Sequence, residues 1–321
     1  MAFDAVHDYI GVQEGVARKV FYAFYDWLNA RYGGTFLGVW TPEAIAKEMA
    51  INAARGFTGM LGSIDCTHWT WKNCPVVWQG QFQDRNSHKS VIAEAIAGSD
   101  MYFWHAFVGC PGSLNDINVL GVSTLCSTYM KSAAAKTKYT IGGTEFEGAF
   151  FLADGIYPNY AYLMKTNPHP GNPKEKLFAK QQEAVRKDVE RAFGRLLIKW
   201  HILNVAARSW FLENVKKIWK TCFILHNMTI RDNDSTGYNS DNARERDVEQ
   251  KREQERMARD AVPGVPVEDP RPPRDNLEEH LDRFDDNMHI CVYVCICTYV
   301  HIYMYIHKRL LCPFLFCKHC A

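Results

Sequence analysis

Four acidic residues, Asp65, Asp116, Asp154 and Glu190, lie in four different local settings: GSIDCTH, GSLNDINVL, FFLADGIYP and RKDVERAFG. Each Asp borders an apolar run, where a carboxylate is costly to bury unless it is paired or bound to a cation. Carboxylates gathered from the ends of separate elements suit a pair of hard divalent ions, and such a pair drives in-line phosphodiester chemistry. Taken singly, each residue has a plainer role. An Asp at a strand–turn junction is a turn or cap residue, and Glu190, flanked by Arg186 and Arg191, is a helical surface ion-pair partner. Asp84, Asp100 and Asp188 are assigned to that plainer class.

The elements that must position these residues follow from periodicity. Residues 3–55 read as mainly helical, with Val16, Val20, Phe21, Phe24 and Leu28 at three- and four-residue steps. TPEAIAKEMA opens with a Thr cap, a Pro at the first helical position and a Glu in the first turn. From Met60 the pattern turns to strands. LGSIDCTHWTW is the first, SVIAEAIAG and MYFWHAFVG form a pair joined at Ser99-Asp100, and AFFLAD is short and wholly apolar, as expected of a strand covered on both faces. One helix is expected over 173–197, with Val185, Val189, Ala192, Phe193 and Leu196 as its stripe, and another over 214–231. Strands with helices on their faces make a mixed α/β domain.

Composition bounds the rest. The chain has 321 residues, 47% of them hydrophobic, and a net charge of +1, so any basic surface is local. Residues 165–220 hold thirteen Lys/Arg against five Asp/Glu, an excess that suits phosphate tracking. The N-terminus lacks the basic and apolar blocks of a secretory signal. Five cysteines scattered over the first 280 residues suggest reduced thiols. Residues 233–287 are charged and Pro-rich and read as a linker, largely disordered. Residues 288–307 alternate between Met/Ile/Val/Thr and His/Cys/Tyr, all encodable by one alternating purine–pyrimidine tract. Residues 288–321 are therefore read as a non-native tail of translated microsatellite, in preference to a membrane span or a zinc site at Cys317 and Cys320. The domain division is 1–59, helical; 60–232, catalytic; 233–287, linker; 288–321, tail.

Asp65 on a first strand, Asp154 at the end of a later central strand and Glu190 on the following helix fit the arrangement of an RNase H-like fold. The blocks GFTGMLGSIDCTHWTWKNCP, HAFVGCPGSLNDINVL, FFLADGIYPNY, KLFAKQQEAVRKDVERAFGRL and CFILHNM together resemble the Harbinger-type DDE transposases, most closely the plant transposon proteins. The resemblance runs from about residue 54 to 228. It implies an RNase H-like mixed sheet flanked by helices, with Asp65, Asp154 and Glu190 as catalytic triad and Asp116 as a fourth metal-binding acid. It implies a two-metal Mg²⁺ or Mn²⁺ site, with nuclease and strand-transfer activity on transposon terminal-repeat DNA. Arg186 is assigned a supporting role, orienting a carboxylate or contacting a phosphate. His68, three residues past Asp65 and so on the opposite strand face, is assigned an indirect supporting role. A Myb-like DNA-binding partner and a nuclear location are implied, or a cytoplasmic one without that partner; oligomers are compatible and no membrane is expected. The N-terminal segment is shorter than the family's and shows no helix-turn-helix. The alternative is a domesticated, non-transposing relative serving as a chromatin or protein-interaction module. Trp69, Trp71, Trp78 and Trp104 are read as core, and His226-Asn227 as a satisfied core pair.

Overall fold

The apolar runs become strands. A computed structural model of the chain describes residues 13–38 and 40–236. It contains β1 (Met60–Thr70), β2 (Ser90–Ala97), β3 (Phe103–Pro111), the short hairpin β4 (Lys138–Ile141) and β5 (Thr144–Glu147), then β6 (Phe150–Ala153) and β7 (Leu163–Lys165). Five strands form one sheet in the order β3-β2-β1-β6-β7. β1, β2 and β3 are an antiparallel meander, whereas β6 pairs in parallel with both β1 and β7. This is the mixed sheet of an RNase H-like domain. Every residue of β2 and β6 is buried, because helices cover both faces of the sheet centre.

The helices are α1 (Glu14–Phe36), α2 (Pro42–Ala54), α3 (Gln79–Phe82), α4 (Asp116–Val122), α5 (Leu125–Lys131), α6 (Pro173–Arg186), α7 (Asp188–Lys199) and α8 (Leu212–Thr236). On one sheet face, Ala93, Ala95 and Ala97 pack against Val189, Ala192 and Leu196 of α7 and Trp219 and Phe223 of α8. The other face buries Ile64, Ile96 and Phe151 against Ile45 of α2, Leu120 of α4 and Tyr129 of α5. The small side chains on the α7–α8 face let those helices approach closely.

β1 carries an irregularity that matters for the site. Met60 pairs with Phe150 and Gly62 with Phe151, so one extra residue is inserted between them. Met60 therefore packs with Leu152 and Val185 on the α6 side, and Ser63, three residues on, faces the same helical layer. Gly62 is required here, since a Cβ would stand 2.4 Å from the Ala97 carbonyl oxygen.

Several expectations are corrected. The helix expected over 173–197 is two helices, broken at Lys187. The Val189 amide donates to Ser63 Oγ at 3.1 Å, so the sheet takes a bond that a continuous helix would have kept. In α1, Val16 and Val20 are exposed, and Tyr25 and Leu28 form the buried side, Leu28 against Ile224 and Leu225 of α8. The last helix, expected over 214–231, runs over Leu212–Thr236. Trp69, Trp71 and Trp104 are core, but Trp78 is 40% exposed. Thr41 caps α2 as expected, accepting from the Ala44 amide. Asn227 is a satisfied core residue, accepting from the Phe103 amide and donating to the Phe36 and Phe103 carbonyls. The tail and residues 237–287 lie outside the described residues. No described helix is long and apolar enough to cross a membrane.

Candidate active site

The parallel pairing of β1 with β6 sets Ser63 opposite Leu152. That is the last pair of the two strands: β6 ends at Ala153, Asp154 follows directly after it, and Asp65 lies two residues further along β1. Side chains two apart share a sheet face. Asp65 thus follows Ser63 onto the face that meets the Val189 amide, and the charge of Asp154 acts on Arg186, next to Val185, which packs on Leu152. Val189 and Val185 precede Glu190 and Arg186. Both aspartates therefore adjoin the α6–α7 junction, and the break at Lys187 is what turns that junction to the sheet.

Arg186 is the cation of this junction. Its Nε lies 3.1 Å from Glu183 Oε2 and its Nη1 3.2 Å from Glu190 Oε1. Burial pulls the guanidinium pKa down, but the Glu183 hydrogen bond and charge, with the charges of Glu190 and Asp154, outweigh it and the net shift is upward. The plainer role expected of Glu190 is thus realised as an i,i+4 ion pair with Arg186, while Arg186 also feels Asp154.

Asp65 is in the reverse situation. Burial is the main reason its pKa rises from 3.8 to about 6. The Cys66 amide, donating to Oδ1 at 2.9 Å, holds it down. The charges of Asp116 and Glu190 push it up further, and Arg186 opposes them. Asp116 reaches this neighbourhood from the other layer, as the first residue of α4, behind an Asn115 cap that accepts from the Asn118 amide. Its negative charge also acts on Cys66, His68 and Tyr157. All four acids and Arg186 therefore occupy one electrostatic neighbourhood at the open edge where β1 outruns β6. Asp154 and Glu190 are exposed there and Asp65 and Asp116 half-buried.

This neighbourhood is not a closed coordination shell. Among the described residues, no group of three or more His, Cys, Asp or Glu side chains is arranged to hold a metal ion. Glu190 is turned to Arg186, and Asp154 Oδ1 accepts from the Gly155 amide at 2.6 Å. The chemistry of the donor set nevertheless suits a hard cation. Asp65 is a half-buried carboxyl with like-charged neighbours, and no ion pair to it is found among the described residues.

His68 points away from the Asp65 face. Its Nδ1 lies 2.9 Å from Ser90 Oγ, and Ser90 donates to Asp84 Oδ2 at 3.2 Å. With the Ser90 proton given to Asp84, Nδ1–H of His68 is the donor to Ser90 and Nε2 is left as an acceptor. Asp84 also accepts from the Asn86 and His88 amides, so its turn role stands beside this relay.

One site residue escaped the sequence reading. Asp188, assigned to the plain class, is 3% exposed and sits 2.7 Å from Arg55, with Arg191 as its second partner. Arg55 donates to Asn52 Oδ1, and Asn52 donates to Glu48 Oε1 and the Met60 carbonyl. This buried chain ties α2 and the start of β1 to the residue two before Glu190. Its signal was present in the sequence: position 188 is three past Val185 and falls on the buried stripe.

Comparison with known proteins adds a family. The plant transposon protein family matches residues 35–237. A curated relative, "Protein ALP1-like" of Arabidopsis thaliana, is 26% identical over 187 residues, covering 56% of this chain. The matched stretch is 45% of that relative's length. No solved structure matches the chain. The matched span contains the sheet, the α6–α7 junction and all four acids, and the chain belongs to the plant transposon protein family.

Proposed function

We propose that the domain is the core of a divalent-metal-dependent DNA nuclease and transposase, with Asp65, Asp154 and Glu190 as catalytic carboxylates and Asp116 assisting. The observation that carries this reading is that the charges of Glu190 and Asp154 act on Arg186, while those of Arg186, Glu190 and Asp116 act on Asp65, so the four acids gather at the α6–α7 junction. Family membership supports a transposase-related nuclease in general terms.

In this reading, Asp65, Asp154, Glu190 and Asp116 would together hold the two Mg²⁺ or Mn²⁺ ions. When bound, such ions supply an activated water or 3′-hydroxyl and stabilise the leaving oxygen. The chain's own residues supply the rest. Arg186 pairs with Glu190, and its guanidinium would hold a phosphate oxygen of the bound strand. The excess of Lys and Arg over 165–220 tracks the DNA backbone. Terminal-repeat DNA is the substrate, a Myb-like protein the DNA-binding partner and the nucleus the site of action.

A second reading, a non-transposing interaction module, is favoured by one observation: Glu190 is committed to Arg186 and no ready ligand group exists among the described residues. The test is Mn²⁺-dependent nicking of terminal-repeat DNA by the wild type and by Asp154→Ala. Nicking that disappears in the variant supports the nuclease. Equal nicking by both places the activity elsewhere, and nicking by neither favours the module.

A further inference from the structure

A cleft of about 380 Å³ opens between the end of β7 and the exposed side of α6, one strand beyond the carboxylates. Its walls include Lys165, Asn167, Lys174 and Phe178. Two routes connect it to the candidate site. Lys165 pairs across the sheet with Ala153, the residue before Asp154. Gln182, which lines the cleft, lies one helical turn before Arg186.

The chemistry of the walls is specific. Phe178 packs on Phe57, with ring centroids 5.4 Å apart, yet is 44% exposed, so the ring is braced from behind and accessible at the cleft. Lys165 and Lys174 form no ion pair among the described residues. Glu175, the acid at the rim, is committed to the start of its own helix: it accepts from the Gly171 amide and the Asn172 side chain, both at 2.7 Å. Asn167 Oδ1 accepts from the His169 amide, which leaves the Asn167 NH₂ group as a donor. A braced aromatic face with two uncommitted ammonium groups and an amide donor is a stacking platform with phosphate contacts.

We infer that this cleft holds one unpaired nucleotide of the DNA strand that crosses the carboxylates, its base on Phe178 and its phosphates on Lys165 and Lys174. The assignment rests on the nuclease reading. The volume suits a single base and sugar and is too small for a duplex. Phe178 is eight residues before Arg186, about 12 Å along the helix. At about 3.4 Å per stacked nucleotide, the bound base lies within about four nucleotides of the scissile phosphate.

The test uses the full chain without added metal and two mixed-sequence duplexes, one blunt and one with a four-nucleotide 3′ overhang. 2-Aminopurine is placed at each overhang position in turn, and anisotropy gives the affinities. The overhang is expected to bind about tenfold more tightly than the blunt duplex, with fluorescence quenched at one position. Phe178→Leu, which keeps an apolar contact with Phe57, is expected to abolish the quench and most of the preference. Lys174→Ala, an exposed change, is expected to lower the salt dependence of overhang binding by about one ion. Equal binding of both duplexes, or a quench that survives in Phe178→Leu, overturns the cleft assignment and leaves the nuclease reading intact. Failure to bind either duplex counts against both.

Discussion

Replacing Asp65 with Asn isolates the electrostatic cost of the site. In the native protein this carboxyl is held at a pKa of about 6 against an ordinary 3.8, chiefly by burial, with Asp116 and Glu190 adding to the rise. A shift of about two units corresponds to about 3 kcal/mol. The sign follows from linkage: the folded state binds the proton more tightly, so stability is greatest below the unfolded pKa and falls as pH rises through the folded one. At pH 7.5 the ionised Asp65 therefore destabilises the wild type by up to about 3 kcal/mol, and at pH 4 by only about 0.5 kcal/mol. Asn keeps the Cys66 amide bond at Oδ1 and removes the charge. Urea denaturation at the two pH values should show Asp65→Asn more stable than the wild type at pH 7.5, with most of the gain gone at pH 4. Mn²⁺ should raise wild-type stability at pH 7.5 more than it raises the variant's. A variant that is less stable at pH 7.5, or a gain independent of pH, would refute both the burial argument and its sign.

Other perturbations probe the scaffold and the junction. Arg55→Met leaves Asp188 buried with Arg191 as its remaining partner and should cost about 2–4 kcal/mol in urea denaturation; a loss below 1 kcal/mol would show that Arg191 suffices. Asn227→Leu strands the Phe36 and Phe103 groups it now satisfies and should lower stability by about 2–4 kcal/mol, read from the shift in denaturation midpoint. Arg186→Gln releases Glu190 and should tighten Mn²⁺ binding by calorimetry while weakening DNA binding by anisotropy; unchanged isotherms would remove Arg186 from the site.

The strands were legible because β1, β2, β3 and β6 are bounded by clear breaks and β6 is apolar throughout. The third acid was legible as part of an expected helix, but the helix break that aims it was not. That break depends on Ser63, a residue 126 positions away in sequence, and periodicity holds no record of such a partner. Val16 and Val20 illustrate the same limit in α1. They share a helical spacing with Leu28, yet α8 covers only the later turns. Asp188 was misplaced because its type suggests surface, while its partner Arg55 lies on another element. The strands β4, β5 and β7 and the helices α4 and α5 are short, and three to seven residues do not establish a period.

The extra residue in β1 fixes the phase of everything after it. Because side chains alternate with a period of two, the bulge between Met60 and Gly62 decides which layer Asp65 faces. Deleting one residue there would leave all four acids of the sequence intact and send the first carboxylate to the α4–α5 side. Copies of such an element can therefore lose the site through a three-nucleotide deletion upstream of GSIDCTH, a lesion invisible to any inspection of the acidic residues alone.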